Sequence, residues 1–332
     1  MGTIVFNESK PIDFVAVGRL CIDLNANEIN RPMEETSTFT KYVGGSPANI
    51  CIGMARLGLK AGFVGKVADD QMGRFIVRYL TDNGIDTRNV VTDRTGAVTG
   101  LAFTEIKSPT ECSILMYRDN TADLKLEANE VQEELVAAAK LLLISGTALA
   151  QSPSREAVFQ ALEYARRHGV AVAFDLDYRP YTWTSDEETA AYYNLAAEKC
   201  DIIIGTREEF DMMERFESHL AHNDSQTAAK WFDYKAQIVI IKHGKEGSIA
   251  YAKDGSSHRA QSFQAKVIKT FGAGDSYAAG FLYGLLQGWP IGRCMTYGSA
   301  AAAIVVSSHS CSDAMPTADQ VNRFIEASSS QI

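Results

Sequence analysis

The chain has 332 residues, of which 46% are apolar and 22% are charged. This composition is typical of a globular protein and excludes a disordered or fibrous chain. The length allows one large α/β domain or two smaller ones. The formal net charge of −9 argues against broad binding to nucleic acid or to an anionic membrane, although a local basic pocket could still hold an anion.

The amino terminus and the cysteines indicate where the protein works. Residues 1–14 have no long apolar segment after a basic start, so we expect no signal peptide. The longest apolar run, residues 300–306, is too short to span a bilayer. The 6 cysteines are far apart and form no CxxC pair, which is typical of reduced thiols. We therefore expect a soluble, cytoplasmic protein that does not bind a membrane.

Short runs of nearly all apolar residues recur along the chain, as in strands that are buried on both faces of a parallel sheet. These runs are 13–18, 61–67, 141–146, 170–177, 201–205 and 237–244. Helix-like segments follow at 48–57, 73–83, 154–168, 188–199, 228–234 and 276–286. The alternation predicts an α/β fold with a doubly wound, mainly parallel sheet flanked by helices. We interpret residues 1–332 as a single domain.

Two stretches, at about 20–43 and 97–117, depart from this alternation. They contain runs such as TGLAFTEI and CSILMY with no helix between them, which predicts antiparallel strands in a small inserted β-sheet. Such a sheet would serve as a lid over a binding cleft, because closure keeps water away from a reactive intermediate.

Polar residues follow several of the predicted strands at the carboxyl ends, where open parallel sheets bind their ligands. These residues are Asp23, Asp175, Asp177, Arg179, Thr206, Glu209, His243 and Gly244. Because the carboxyl ends of parallel strands lie at one edge of a sheet, we expect these side chains to converge there. The same edge would face the loop before Asp275.

The stretch KTFGAGDSYAAGF, residues 269–281, joins a glycine-rich loop to a buried helix. Glycine allows close approach to the backbone, and the unpaired N–H groups of a first helical turn suit a phosphate. Asp275 lies where that anion would bind, so we interpret it as a base that takes a proton from an attacking hydroxyl. Tyr277 replaces the third glycine of a dinucleotide-binding loop, which disfavours a dehydrogenase. A tight loop that only caps the helix is the structural alternative.

A second glycine pair lies in KYVGGSPAN, residues 41–49. The structural interpretation of this stretch is a helix capped by Ser46, with Pro47 at the first helical position. The amide of Asn49, in the first turn, can both donate and accept a hydrogen bond with a sugar hydroxyl. Helix capping and ligand binding are compatible at this position.

Together, GGSPAN and FGAGDSYAAGF resemble the two signatures of the ribokinase-like, or PfkB, carbohydrate kinases, and the resemblance extends over essentially the whole chain. The stretches LMYRDNTADLKL, FDLDYRPYTW and IIGTREEF resemble the branch of the family that acts on sugar acids. The resemblance implies ATP-dependent phosphorylation of the 6-hydroxyl of 5-dehydro-2-deoxy-D-gluconate, in myo-inositol catabolism. A 2-keto-3-deoxygluconate kinase, a fructokinase and a sugar-binding sensor without kinase activity remain alternatives.

The resemblance also implies roles for individual residues. Asp275 is the implied base, and the implied phosphoryl-binding amides belong to Gly272, Ala273, Gly274 and Asp275. The implied sugar-binding residues are Asp23, Gly44, Gly45, Asn49 and Asp177, with Arg118 for a carboxylate and Arg179 for phosphate or substrate. The implied nucleotide-binding residues are Thr206, Lys242, His243, Gly244, Gly247, Ser299 and Ala302. Glu209 is the implied ligand of Mg²⁺, through water.

Three further expectations concern cations and assembly. Most relatives carry Asp at the position of Lys269, where the acid helps to bind a monovalent cation, so we hypothesise that this ammonium removes the need for potassium. An exposed lysine without a role is the alternative. His219 and His222 have metal-ligand spacing but no third ligand nearby, which indicates a solvated surface. Lid sheets of the family often pair between subunits, so the lid could form a homodimer.

Overall fold

The computed structural model describes residues 4–108, 111–217 and 222–329. Its strands are β1 (Ile12–Val17), β2 (Cys21–Ala26), β3 (Phe39–Gly44), β4 (Ala61–Ala68), β5 (Asp86–Asp93), β6 (Gly100–Ile106), β7 (Cys112–Tyr117), β8 (Ala139–Ser145), β9 (Ala171–Asp175), β10 (Ile202–Thr206), β11 (Ile238–Lys242), β12 (Ser248–Ala252) and β13 (Ser257–Ala260). Its helices are α1 (Ser46–Arg56), α2 (Gln71–Asp82), α3 (Glu133–Ala137), α4 (Ser154–Arg167), α5 (Asp186–Ala197), α6 (Arg207–Met213), α7 (Asp224–Phe232), α8 (Ala273–Leu286), α9 (Ile291–Val306) and α10 (Ala318–Ser329).

The main sheet has nine strands in the order β13-β12-β11-β10-β9-β8-β1-β4-β5. Strands β4, β5 and β8 to β11 run parallel to β1, whereas β12 and β13 form an antiparallel edge. From β1 the successive strands β4 and β5 lie towards one edge of the sheet, and from β8 the successive strands β9 to β13 lie towards the other edge. The direction in which strands are added therefore reverses between β1 and β8. Ligands of open α/β sheets bind at such a switch point, beyond the carboxyl ends of the strands.

The two faces of the main sheet are both covered, which explains the uninterrupted apolar runs of its strands. In β1, Phe14 and Ala16 pack into one core cluster, with α1, α2, α8 and α9. Val15 and Val17 alternate with them and pack into a second cluster, with α3 to α7. This is the doubly wound arrangement that the alternating sequence pattern predicts.

Several helices begin before the residues predicted from the apolar pattern, because a polar residue caps them. The side chain of Asp70 accepts a hydrogen bond from the backbone N–H of Gly73, so α2 begins at Gln71. Ser185 caps α5 in the same way. A capping oxygen satisfies an N–H group that would otherwise lack a partner, so the polar residues extend the helices in the amino-terminal direction.

A separate four-stranded sheet, in the order β3-β2-β6-β7, is formed by the two stretches for which a small inserted β-sheet is predicted. The pairs β2–β3 and β6–β7 are antiparallel, as the alternating pattern indicates, but the central pair β2–β6 is parallel. The prediction of an antiparallel sheet is therefore wrong for this pair. The two hairpins come from distant parts of the chain and lie side by side in the same direction. Residues 109 and 110, within the predicted lid, lie outside the described residues.

The structure also bears on the expectations for membranes and cysteines. Over residues 4–108, 111–217 and 222–329, no helix combines the length and the apolar character needed to cross a bilayer. The cysteines are all free thiols, and five of them are buried.

Candidate active site

The amino terminus of α8 forms the centre of the site. Gly272, which precedes the helix, has a φ of +79°, and a Cβ there would lie 2.8 Å from the Sγ of Cys311. Both constraints require glycine. Among the described residues, the N–H groups of Gly272, Gly274 and Asp275 donate no hydrogen bond, and the N–H of Ala273 makes only a 3.4 Å bond to the oxygen of Thr270. We call the three free amides of Gly272, Gly274 and Asp275 the cradle; they suit an anion.

Asp275 lies in the first turn of α8, beside the cradle. Its Oδ2 accepts a hydrogen bond of 2.8 Å from the Nδ2 of Asn49, in the first turn of α1. Asn49 is buried, and its Oδ1 has no partner among the described residues. The carboxylate is therefore held by one donor, while an amide oxygen beside it remains free to accept a hydrogen bond from a ligand.

The glycine pair before α1 is explained first by contacts within the chain. A Cβ on Gly44 would lie 2.0 Å from the Oδ1 of Asp23, and a Cβ on Gly45 would lie 2.4 Å from the carbonyl oxygen of Arg19. Gly45 also has a φ of +106° and is itself the residue before the helix. Ser46 therefore does not cap α1, contrary to the sequence interpretation; its hydroxyl donates to the Oδ2 of Asp175.

A first cavity of about 230 Å³ lies between the cradle and the four-stranded sheet. Most of the residues predicted to bind sugar or perform chemistry line it: Asp23, Gly45, Asn49, Asp177, Arg179, Gly272, Gly274 and Asp275. Thr206 and Lys242, predicted to bind nucleotide, and Glu209, predicted to bind Mg²⁺, line it as well. Ile114 and Met116 of β7 and Ala102 of β6 line it from the sheet. Gly44 and Arg118 do not line it.

A second cavity, of about 450 Å³, lies on the other side of the cradle. Much of its wall is apolar, with Phe263, Val267 and Val306 among the lining residues. Of the residues predicted to bind nucleotide, Thr206, Lys242, Gly244, Gly247, Ser299 and Ala302 line it, as do Ala273 and Gly274. His243 does not line it, and its Nε2 lies 2.8 Å from the Oδ2 of Asp224.

The two cavities meet at the cradle. Thr206, Lys242, Thr270 and Gly274 line both of them. A Cβ on Gly274 would meet only the Nζ of Lys242, at 3.2 Å, so the absence of a side chain there leaves an opening beside an ammonium group. A group that extends from the second cavity would therefore reach the carboxylate of Asp275 past an ammonium and the free amides.

Two acidic residues that line the first cavity, Asp23 and Asp175, have raised pKa values. Burial raises the pKa of Asp175 to about 7, although the ammonium of Lys242 opposes the shift. The Nζ of Lys242 lies 3.9 Å from the Oδ1 of Asp175. Burial also raises the pKa of Asp23 to about 6, against the effect of Arg19. A carboxyl group removed from water favours its neutral form, and clustered acids reinforce the effect.

The family follows from comparison with known proteins. The sequence pattern of the "pfkB family carbohydrate kinase" matches residues 12–318. The chain belongs to this family. The resemblance predicted from GGSPAN and FGAGDSYAAGF is thereby confirmed.

Relatives within the PfkB family are similar over almost the full chain. A protein of Geobacillus thermodenitrificans named 5-dehydro-2-deoxygluconokinase is 74% identical over 326 residues, which cover 98% of this chain and 96% of that one. A protein of Bacillus cereus named 5-dehydro-2-deoxygluconokinase 2 is 66% identical, with 98% of each chain covered. The crystal structure of a fructokinase with bound ATP from Xylella fastidiosa is similar in fold, with a TM-score of 0.83 at 24% identity, covering 95% of this chain and 99% of that one.

Glu209 and Thr206 form a capping box at the start of α6. The Oε2 of Glu209 accepts from the N–H of Thr206 at 2.7 Å, and its Oε1 accepts from the N–H of Tyr178 at 3.0 Å. The carboxylate is thus fixed in place and lines the first cavity of this PfkB protein. Mg²⁺ prefers oxygen ligands and keeps several waters, so the acids of this cavity fit such an ion as outer ligands. Among the described residues, no group of three or more metal-ligating side chains is assembled.

Lys269 is fully buried, so the alternative of an exposed lysine is wrong. Its Nζ donates to the carbonyl oxygen of Phe271 at 2.6 Å and lies 3.4 Å from the Sγ of Cys311. The ammonium is therefore attached to the loop that leads into the cradle. Of the predicted histidine pair, His219 lies outside the described residues, and His222 is exposed beside Asp211.

Sequence reasoning missed one charged residue of the site, Arg19. It is 5% exposed and lines the first cavity. It comes directly after Gly18, at the carboxyl end of β1, so the strand-end rule that selected Asp23 could have found it. Thr270 and Phe271, also in the cavity wall, lie just before the cradle glycines.

Proposed function

We propose that the protein is a carbohydrate kinase that transfers the γ-phosphoryl group of ATP to the 6-hydroxyl of 5-dehydro-2-deoxy-D-gluconate, a step of myo-inositol catabolism. The identity of 74% to a protein of that name, over 98% of the chain, supports the substrate. One observation supports the chemistry: free backbone amides and the carboxylate of Asp275 lie where two cavities meet.

The proposed mechanism begins with the sugar in the first cavity and ATP in the second. Asp275 accepts the proton of the 6-hydroxyl while the oxygen of that hydroxyl attacks the γ-phosphorus of ATP. The bond between the γ-phosphorus and the β-phosphate oxygen breaks, and ADP leaves. Asn49 orients the carboxylate. The cradle amides donate to the phosphoryl oxygens, whose charge must be stabilised as it is transferred. Lys242, at the opening between the cavities, supplies positive charge there.

The second cavity suits adenosine because apolar walls favour a flat aromatic base. We assign the nucleotide to Gly244, Gly247, Ser299 and Ala302, which line this cavity. Glu209 would hold Mg²⁺ through water, and the ion would neutralise phosphate charge when bound. His243 would act indirectly, through the loop that it begins.

The first cavity suits a polar six-carbon substrate. We assign its hydroxyl groups to Asp23, Asn49 and the backbone at Gly45, and its charged end to the arginines described below. We propose that the four-stranded sheet is a lid, because Ile114 and Met116 place apolar side chains against the same cavity and would exclude water from the phosphoryl group.

We further propose that the buried ammonium of Lys269 takes the place of a monovalent cation near the cradle. It holds the carbonyl oxygen of Phe271, a group of the kind that a potassium ion would bind. Turnover measured without sodium or potassium should equal turnover with either salt. A many-fold rise on adding potassium would refute this assignment.

The outer face of the lid is proposed to pair two subunits. Leu115 and Tyr117 of β7 are 51% and 58% exposed, and the ring of Phe103 packs against those of Phe39 and Tyr117. Such an apolar patch favours association. In sedimentation experiments, the parent protein should be a dimer and the Leu115→Asp variant a monomer. A monomeric parent protein would contradict the proposal. We also propose a cytoplasmic location, which the free thiols favour.

An ADP-release assay with a panel of sugar acids and neutral ketoses tests the proposed function. The expected result is the highest kcat/KM with 5-dehydro-2-deoxy-D-gluconate and product phosphorylated at the 6-position. Fructose turned over far faster than any acid would refute the substrate. No ADP with any sugar would refute the kinase and favour a sensor.

A further inference from the structure

Three buried or half-buried arginines, Arg19, Arg118 and Arg179, form a cluster at the switch point of the sheet. Two of them have short ion pairs. The NH2 atom of Arg118 lies 2.6 Å from the Oδ2 of Asp123, and that of Arg179 lies 2.7 Å from the Oδ1 of Asp177. These two guanidinium groups are therefore each matched by one carboxylate.

Arg19 has no comparable partner among the residues that the structure describes. Its nearest carboxylate oxygen is the Oδ2 of Asp177 at 3.6 Å, which is beyond a normal hydrogen bond, and Asp177 is already paired with Arg179. Within the described part of the chain, the Nε and NH1 atoms of Arg19 are buried and donate to no acceptor. In the same part of the chain the Nε and NH1 atoms of Arg118 are likewise buried without an acceptor, but Arg118 does not line the first cavity, whereas Arg19 does. The free donors at the cavity wall therefore belong to Arg19.

The surroundings fix Arg19 in the wall of the first cavity. Its carbonyl oxygen lies against the Cα of Gly45, where a Cβ would be 2.4 Å away and would also come within 3.5 Å of the Cγ of Arg19. The residue lines the cavity together with Asp275. Arg118, in contrast, does not line the cavity, and its NH2 atom is engaged with Asp123.

We propose that Arg19 is the anchor for the carboxylate of the substrate, and that Arg118 supports the site from behind through Asp123. This assignment rests on the proposed function, and it replaces Arg118, which the sequence resemblance implied for the carboxylate. A guanidinium fork fits a planar carboxylate through two hydrogen bonds. The carboxylate of an acid could accept hydrogen bonds from the free Nε and NH1 donors of Arg19, whereas a neutral sugar would offer them no charged acceptor. Arg19 therefore determines the preference for an acid.

The test compares Arg19→Met, Arg19→Lys and Arg118→Met on two substrates. One substrate is 5-dehydro-2-deoxy-D-gluconate, and the other is its neutral analogue with a hydroxymethyl group in place of the carboxylate. For Arg19→Met we expect the KM for the acid to rise about 100-fold, as for the loss of a charged hydrogen-bonded pair. The KM for ATP and the kinetics with the neutral analogue should change little. Arg19→Lys keeps the positive charge but lacks the guanidinium fork, so we expect its KM for the acid to rise about tenfold.

Arg118→Met provides the matched control, because it removes a guanidinium of the same cluster that does not line the cavity. It leaves the carboxylate of Asp123 buried and unpaired, so we expect a lower melting temperature and similar losses with the acid and the neutral analogue. If Arg19→Met impairs both substrates equally, or if Arg118→Met selectively impairs the acid, the proposal is overturned. Arg19→Lys decides the same question should the methionine variant not fold.

Failure of this proposal can be distinguished from failure of the proposed function. If the unmodified protein does not phosphorylate the acid, the proposed function fails before any variant is compared. If the unmodified protein does phosphorylate it and all three variants keep its preference for the acid over the neutral analogue, only the role of Arg19 is refuted.

Discussion

Replacing Asp275 with asparagine should abolish most turnover without disturbing the fold or ATP binding. Within the described part of the chain, the carboxylate accepts one hydrogen bond, from the Nδ2 of Asn49 at 2.8 Å. An asparagine can accept the same bond with its amide oxygen, so the contact between α1 and α8 is retained. The variant exchanges a charge-assisted hydrogen bond for a neutral one, which costs about 1 kcal/mol of unfolding free energy. For a chain of this size, the melting temperature should fall by no more than about 4 °C.

The kinetic loss in Asp275→Asn should be much larger than the loss of stability. A positioned general base contributes about 10²- to 10⁴-fold, which corresponds to about 3–5 kcal/mol of transition-state stabilisation. The cradle amides and Lys242 are unchanged, so the dissociation constant of ATP, measured by calorimetry, should stay close to that of the parent protein. The loss should therefore appear in kcat rather than in the KM for ATP.

Asn49→Ala is the companion to Asp275→Asn, because it keeps the base and removes the donor that orients it, together with the amide oxygen assigned to a substrate hydroxyl. Loss of a hydrogen bond to a charged group costs about 1.5–3 kcal/mol, so we expect kcat/KM for the sugar to fall about 10- to 100-fold. Rates of Asp275→Asn close to those of the parent protein would remove Asp275 as the base. A loss in Asn49→Ala equal to that in Asp275→Asn would mean that the carboxylate acts only when the amide holds it.

Three further predictions concern pH, the cradle and the metal. The folded-state pKa of Asp175 is raised to about 7 from 3.8, so the folded protein keeps a proton that the unfolded chain releases, and stability falls as pH rises through this window. In denaturant titrations, the free energy of unfolding of the parent protein should fall by up to about 1.4 kcal/mol per pH unit relative to that of Asp175→Asn. If the free energies of unfolding of the two proteins change with pH in parallel, the raised pKa of Asp175 is contradicted. Gly272→Ala should lower the melting temperature, because residue 272 has a positive φ and an added Cβ would contact Cys311. Gly274→Ala should mainly raise the KM for ATP. Equal melting temperatures of the two variants would contradict this distinction. Glu209→Gln should raise the Mg²⁺ concentration needed for half-maximal rate, and an unchanged Mg²⁺ titration would exclude Glu209 from the metal site.

The sequence predicts the central strands well because their residues are buried on both faces. In β11, Ile238, Val239, Ile240 and Ile241 are fully buried, so only apolar residues are stable there and the run is continuous. Strands β5, β12 and β13 are not predicted, because none of them is a continuous buried run. In β5 the buried residues are scattered, in β12 buried and half-buried residues alternate, and β13 has no buried residue. The parallel pairing of β2 with β6 is likewise missed, because alternation reports which face a side chain occupies and not the direction of the neighbouring strand.

Part of the candidate site can also be predicted from the positions of its residues in the sequence. Strand-end position and glycine spacing identify Asp23, Asn49 and Asp275, which the structure brings to one cavity. The same rules do not separate Arg19 from Arg118, because both are single arginines near predicted lid strands. Their difference lies in their partners: Asp123 pairs closely with Arg118 and not with Arg19. Pairing of this kind depends on side-chain geometry, which no local pattern encodes.

The distribution of charge explains how a chain with a net charge of −9 could bind two anions in one cleft. The acids that line the first cavity are Asp23, Asp175, Asp177, Glu209 and Asp275. Burial raises the pKa of two of them, Asp23 to about 6 and Asp175 to about 7, so part of this negative charge is neutralised near neutral pH. The positive groups lie where an anion would need them: Lys242 between the cavities, Lys269 beneath the cradle and Arg19 in the cavity wall. Local placement of a few cations, rather than the overall charge, therefore determines which anions can bind.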